Sequence, residues 1–173
     1  CLILKYTKKE CITVSKLNYQ EEIDFLVSHP QRNNYICNLV KGLTGNTLVL
    51  FQLIEKHGNI LHSILEEIID PSRKIFFVYG GTDADSREKV RELVEKEKDA
   101  IICASYGVYS TGINIRNLHN IVFASPSKSR IRNLQSIGRG LRKSETKESA
   151  SLYDISDDLS YNDRKNYTLN HFS

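Results

Sequence analysis

The sequence contains no methionine, no tryptophan and only three prolines in 173 residues. Its four cysteines, Cys1, Cys11, Cys37 and Cys103, show no Cys-x-x-Cys spacing. That argues against a zinc site and leaves no disulfide framework to read, so no metal is expected and reduced thiols in a cytoplasmic setting are the default. No apolar run approaches the roughly 18 residues that span a bilayer, and no charged-then-apolar leader is present, so no membrane partner is expected. The chain begins at Cys1 without an initiator methionine, and the expectation is a piece of a longer polypeptide.

One further absence is local. From Pro126 to Ser144 there is no acidic residue, while Lys128, Arg130, Arg132, Arg139, Arg142 and Lys143 supply six positive charges. Over the whole chain, 24 basic and 21 acidic residues leave a net charge of only +3. The positive charge is therefore concentrated, as at a site for a polyanion. Hydrophobic content of 40% and charged content of 26% are ordinary for one globular domain with a real core.

Short apolar runs alternate with helical periodicity along the chain. Residues 2–14 suggest two short strands around the polar Thr7-Lys8-Lys9-Glu10, a β-hairpin. Helical spacing follows over Tyr19–Val27 and again over Gln31–Val40, with a break at His29-Pro30 and a stop at Gly42. After the turn Gly45-Asn46, the run Thr47–Phe51 has the continuous apolar character of a strand buried on both faces. A long amphipathic stretch from Gln52 to Ile69 contains Gly58, which predicts a broken or kinked helix. Further strands are predicted over 74–79, 99–104, 120–124 and 150–155, with a helix capped by Asp83 or Asp85 running through Val94. This order predicts a doubly wound α/β fold, a mostly parallel sheet with helices on both faces. The expected divisions are residues 1–42 as an N-terminal hairpin and helices, 43–156 as the α/β domain, and 157–173 as a tail or the start of a further helix.

In such a sheet, ligands bind at the loops beyond the carboxyl ends of the strands. Here those loops carry Gln52, then Gly80-Gly81-Thr82, then Ser105 through Thr111-Gly112-Ile113-Asn114, then Ser125-Pro126 opening the basic run. Backbone amides, hydroxyls and helix N-termini hold phosphates without reading a base. On a helix, Gln135, Arg139 and Arg142 project from one face, and guanidiniums there suit a polyphosphate. Gly138 and Gly140 weaken an exposed helix by about 1 kcal/mol each relative to alanine, a local cost compatible with close approach to a ligand or another backbone. The alternative is an exposed basic helix paired with acids elsewhere in the fold.

The stretch QSIGRGLR (135–142) resembles motif six of the superfamily 2 helicases, Gln-x-x-Gly-Arg-x-x-Arg. Upstream, IICASYGVYSTGINIRNLHNIVFASPS resembles their motif five, LVLFQLIEKHG motif four, and VYGGTDADSRE the motif between them. The ordered set resembles the second RecA-like (P-loop NTPase-type) motor domain, most of all that of phage UvsW-type DNA helicases. This resemblance implies ATP with Mg2+ as cofactor, and DNA or RNA bound through its backbone. It implies that Arg142 is an arginine finger, that Arg139 senses the γ-phosphate, and that Gln135, Gly112 and Asn114 bind ATP. It also implies that Gln52, Gly81, Thr82, Ser105 and Thr111 contact nucleic acid. Asn114 stands where many relatives have aspartate, and the segment from Ser105 to Gly112 is one residue longer than in DEAD-box proteins.

No Gly-x-x-x-x-Gly-Lys-[Ser/Thr] loop and no Asp-Glu-x-His box occurs in the chain. The phosphate-cradling lysine and the Mg2+ ligands are therefore expected on a first RecA-like domain of the same protein, and this segment alone should hydrolyse essentially no ATP. The expected setting is the cytoplasm of a bacterial or phage-infected cell. Rival readings are a non-catalytic nucleic-acid-binding module and a nucleotide-dependent transferase, although the latter's Gly-x-Gly-x-x-Gly loop is absent.

Overall fold

Three of the apolar runs form the centre of the sheet. In the computed structural model, which describes residues 1–111, 115, 117–126 and 150–169, they are Thr47–Phe51 (β2), Ile101–Ser105 (β4) and Asn120–Phe123 (β5), each buried along its whole length. Leu2–Lys5 (β1), Ile75–Val78 (β3) and Ser151–Asp158 (β6) complete a six-stranded sheet of order β1-β6-β5-β2-β4-β3. Every neighbouring pair is parallel.

The side-chain period of two sorts each run onto two faces. Leu48 and Leu50 join Ile102, Ala104, Ile121 and Phe123 in one core, covered by Val94 of Ala84–Lys96 (α5). Val49 and Phe51 join Ile101, Cys103 and Val122 in the other. That face is covered by Ile36, Cys37 and Val40 of Pro30–Gly42 (α3) and by Leu61 and Leu65 of Asn59–Ile68 (α4). Burying each such Leu, Ile or Phe is worth roughly 1.5–3 kcal/mol, so the pattern specifies the sheet and both helical layers together.

Residues 2–14 are not a hairpin. Leu2–Lys5 pairs with β6 at the far side of the sheet, and Lys8–Val14 is a helix (α1). The tetrad Thr7-Lys8-Lys9-Glu10 is a capping box: the Glu10 amide donates to Thr7 Oγ1 (3.3 Å) and the Thr7 amide to Glu10 Oε2 (2.8 Å). Two helix-start donors are satisfied this way, so the polar tetrad begins a helix and does not turn a strand back. Asn18 and Glu21 repeat the device at the start of Tyr19–Ser28 (α2). Strand β1 and helix α3 join the sheet and its core, while α1 and α2 pack in a separate cluster of Cys11, Val14 and Leu26 with Leu159.

The stretch after β2 is broken as expected. Ile54–Gly58 is a π-helical turn, closed by the Gly58 amide donating to Leu53 O (2.8 Å), and α4 continues from it. A Cβ at Gly58 would lie 2.5 Å from the Phe51 ring, so this turn docks directly on β2 only with glycine there. At the opposite, amino edge, buried Asn46 closes the sheet. Its Nδ2 lies within hydrogen-bonding distance of Val94 O (3.2 Å), Glu97 O (2.8 Å) and Asn117 O (2.9 Å), while its Oδ1 accepts from the Ala100 amide (2.8 Å).

Beyond β6, Tyr161 and Arg164 bridge across a turn, and the described residues up to 168 are turns and extended segments. Buried Glu22 of α2 accepts from Asn166 Nδ2 (3.1 Å), from the amides of Tyr167 (2.9 Å) and Thr168 (2.8 Å), and from the Thr168 hydroxyl (2.8 Å). The end of β6 is fastened by charge. Arg32 of α3 donates from Nε and Nη2 to the two oxygens of Asp157 (2.8 and 3.0 Å), and the Tyr6 hydroxyl donates to Oδ1 (2.5 Å). Both side chains of the ion pair are wholly buried. Burial, then the adjacent Asp157 carboxylate, holds the Tyr6 hydroxyl protonated far above its ordinary range.

Removing one partner of a buried pair strands the other charge. Asp157→Ala should therefore cost about 3–5 kcal/mol of stability in urea unfolding, and Arg32→Met with Asp157→Leu should recover most of that loss. A cost for Asp157→Ala no larger than that of an exposed ion pair would contradict the assignment.

Candidate functional site

Because all six strands run the same way, their carboxyl ends share one edge. The order β5-β2-β4-β3 sets four loops side by side there, and the register aligns them: Phe123 pairs with Leu50, Phe51 with Ser105, and Ala104 with Val78. Ser125, Gln52, Ser105 and the Tyr79–Thr82 turn therefore follow one another across the edge. The structure thus brings together Gln52, Ser105, Gly81 and Thr82, which the sequence places in separate motifs.

Each contributes differently. The Gln52 side chain is exposed, while its amide donates to Ser125 Oγ (2.9 Å). In the turn after β3, the Thr82 amide donates to Tyr79 O (2.9 Å), and Thr82 Oγ1 accepts from the Tyr79 amide (3.2 Å). The hydroxyl proton of Thr82 stays available to an incoming oxygen. Gly80 and Gly81 are exposed, and a Cβ at Gly81 would meet the Tyr79 ring at 2.7 Å, so glycine lets that ring lie across the turn. Tyr79 is 36% exposed and continues a ladder of rings, Phe77 at 5.7 Å and Phe51 stacked beyond it at 5.5 Å. Ser105 ends β4 nearly buried, and the chain turns at once into Tyr106–Thr111 (α6), which closes on Thr111. Gly112, Asn114, Gln135, Arg139 and Arg142 lie outside the described residues.

The edge also holds residues that the sequence reading did not single out. His57, fully buried in the π-helical turn, lies with Nδ1 2.9 Å from Ser125 Oγ and Nε2 3.2 Å from Asn33 Oδ1. Burial, and secondarily the Arg32 charge, lowers its pKa to about 3, so the ring is neutral at physiological pH. The sequence offers only a faint signal for it, a histidine before a glycine inside an amphipathic stretch.

Three of the four cysteines, Cys11, Cys37 and Cys103, are buried, and Cys1 is exposed. All four are free, and burial pushes the Cys37 thiol up to about 12 and raises that of Cys103 as well. Among the described residues no cluster of His, Cys, Asp or Glu could hold a metal ion, and no helix is long and apolar enough to cross a membrane. The arrangement is a row of hydroxyls, amides and small residues leading, through Ser125 and Pro126, into the acid-free basic run. Such groups suit phosphate oxygens.

Comparison with known proteins agrees with this geometry. The helicase conserved C-terminal domain matches residues 31–144. The ATP-dependent DNA helicase uvsW of Enterobacteria phage T4 is 36% identical over 159 residues, covering 90% of this chain and 31% of that protein. The crystal structure of T4 UvsW superposes with a TM-score of 0.82 at 34% identity, over 98% of this chain and 36% of that one. Domain 2 of the DEAD-box helicase Mss116p, solved bound to an RNA duplex, shares the fold at a TM-score of 0.57 and 14% identity, over 73% of this chain. This chain thus spans about a third of the length of its T4 relative.

The depressed pKa of His57 has a measurable consequence. The unfolded chain takes up a proton near pH 6.5 that the folded one resists down to about pH 3, so stability is complete above 6.5 and falls as the pH drops through that window. Glu10, held down to about 2 first by its hydrogen bond from the Thr7 hydroxyl and then by His29, loses its contribution only below the ordinary carboxylate range. Between pH 6.5 and 5, chemical unfolding of the wild type should lose stability with a slope approaching one proton, which His57→Phe should abolish. An equal slope in both would contradict the buried neutral imidazole.

Proposed function

This chain belongs to the helicase conserved C-terminal domain family of the superfamily 2 helicases, and we propose that it acts as the second motor domain of an ATP-dependent DNA helicase or translocase in recombination, repair or branched-DNA remodelling. The observation that carries this reading is the carboxyl edge, where four loops of phosphate-binding character stand in a row and the last opens a run with six basic and no acidic residues.

In this reading Gln52, Gly81, Thr82, Ser105 and Thr111 grip the nucleic-acid backbone. Hydroxyls and amides at such an edge bind phosphate oxygens of any sequence, so binding is sequence-tolerant and salt-dependent. Gly112, Asn114 and Gln135 face the nucleotide. Arg139 meets its γ-phosphate, and Arg142 stabilises the charge that develops on the phosphoryl group in transfer. The donor set fits a polyphosphate, because two guanidiniums three residues apart in the sequence have no carboxylate in the surrounding run. ATP, when bound, supplies the free energy and the bridging charge across the cleft to a first RecA-like domain. The phosphate-cradling lysine and the Mg2+ ligands belong to that domain in this reading, since neither the Gly-x-x-x-x-Gly-Lys-[Ser/Thr] loop nor the Asp-Glu-x-His box occurs in this sequence. Arg139 and Arg142 would be drawn onto the cleft when the nucleotide is whole and released after hydrolysis. The edge residues would move with them along the strand. The setting is the cytoplasm.

DNA-stimulated ATPase of the full-length protein tests this. Arg142→Ala should lower turnover by roughly a thousandfold at matched DNA occupancy while DNA binding is retained. Unchanged turnover would leave a basic DNA-binding surface as the better account.

A further inference from the structure

The π-helical turn at Ile54–Gly58 inserts a histidine where an ordinary helix would pass, and such turns persist mainly where a side chain is needed in one position. The hydrogen bonds around His57 have one consistent direction. Asn33 Nδ2 donates to Val27 O (2.8 Å), which leaves Asn33 Oδ1 facing the imidazole as an acceptor. Nε2 of the neutral ring therefore carries the proton, and Nδ1 accepts from the Ser125 hydroxyl at 2.9 Å. Ser125 Oγ in turn accepts from the Gln52 amide. The chain of donation runs from Gln52 to Ser125 to His57 to Asn33 to the carbonyl of Val27, linking the loop after β2, the loop after β5 and helices α2 and α3. Every member but Gln52 is buried.

This relay ties together two segments with different tasks. Gln52 opens the loop assigned to nucleic acid; Ser125 opens the chain that leads to Gln135, Arg139 and Arg142. If a bound strand shifts the Gln52 backbone, its amide loses its acceptor unless Ser125 moves with it. An aliphatic or phenyl side chain at position 57 could fill the space, but it would leave the Ser125 hydroxyl and Asn33 Oδ1 buried without partners. Gly58, seated against the Phe51 ring, lets the turn lie close against β2.

We propose that His57 is a positioning residue that couples nucleic-acid occupancy at the Gln52 loop to ATP turnover, acting through Ser125. The inference rests on the motor reading above. It assigns His57 no contact with nucleotide or nucleic acid; its effect is carried by the one hydroxyl it holds.

The test measures ATP turnover with and without saturating DNA, DNA affinity and thermal stability in the full-length protein carrying this chain. His57→Phe and Ser125→Ala should each lower the ratio of DNA-stimulated to DNA-free turnover about tenfold, the kinetic equivalent of one lost buried hydrogen bond. The double variant should lose no more than either alone, and Ser125→Thr, which keeps the hydroxyl, should hold the wild-type ratio. A purely structural His57 would lower the melting temperature and leave the ratio unchanged in His57→Phe, and that outcome overturns the proposal; so would additive losses in the double variant. Should His57→Phe fail to fold, the contrast between Ser125→Ala and Ser125→Thr decides alone. A wild type whose turnover DNA does not stimulate would instead bring down the motor reading on which the inference stands.

Discussion

Strand β2 carries parallel ladders on both of its edges, to β4 and to β5, and side-chain cores on both of its faces. A strand so enclosed has no free backbone group to offer a ligand. Its geometry forces the rest: with neighbours all parallel, the strand ends and the loops that follow them collect on one edge. Loops rich in hydroxyls, glycines and exposed amides are brought together there by topology, from segments as far apart as Gln52 and Ser125.

The two edges of the sheet are built for opposite ends. At the amino edge Asn46 spends its side-chain amide on carbonyls of α5 and the segments that follow, and Gly45, at φ 87°, closes against the His119 ring. At the carboxyl edge the loops are short, small and partly open, with Gln52, Gly80 and Gly81 exposed. The β1–β6 flank is held by buried polar contacts beside an apolar cluster: Arg32 binds Asp157, which Tyr6 also meets, and Glu22 grips residues 166–168, with Asn166 joining the two groups through the Asp157 carbonyl. Such contacts specify one geometry because any slip leaves a buried group unpaired.

The central strands and both helical layers were legible in the sequence because their patterns are local: uninterrupted apolar runs for β2, β4 and β5, the cap at Asp83, and the glycine that breaks the stretch after Gln52. The family was legible through its ordered motifs. The N-terminal segment misled because Thr-x-x-Glu serves equally as a polar turn between short apolar runs, and only the strand partner in β6, where Leu2 pairs with Ile155, separates the readings. His57 was hidden for a related reason. A histidine in an amphipathic stretch carries no mark of which hydroxyl it will meet, and Ser125 lies 68 residues later. The tail was read as unpatterned because its anchor, Glu22, is a carboxylate whose burial no local rule anticipates.

The central claim is that the carboxyl edge is where nucleic acid is gripped and that Ser125 leads from it to the nucleotide. Hydrogen exchange on the full-length protein, with DNA alone and then with DNA and a non-hydrolysable ATP analogue, tests it most directly. The account predicts that DNA alone protects amides at 52–54, 79–82 and 105–111, and that the nucleotide extends protection into the run beyond Ser125. Protection concentrated at the amino edge, around Asn46 and Asp99, with the carboxyl loops unchanged, would contradict it.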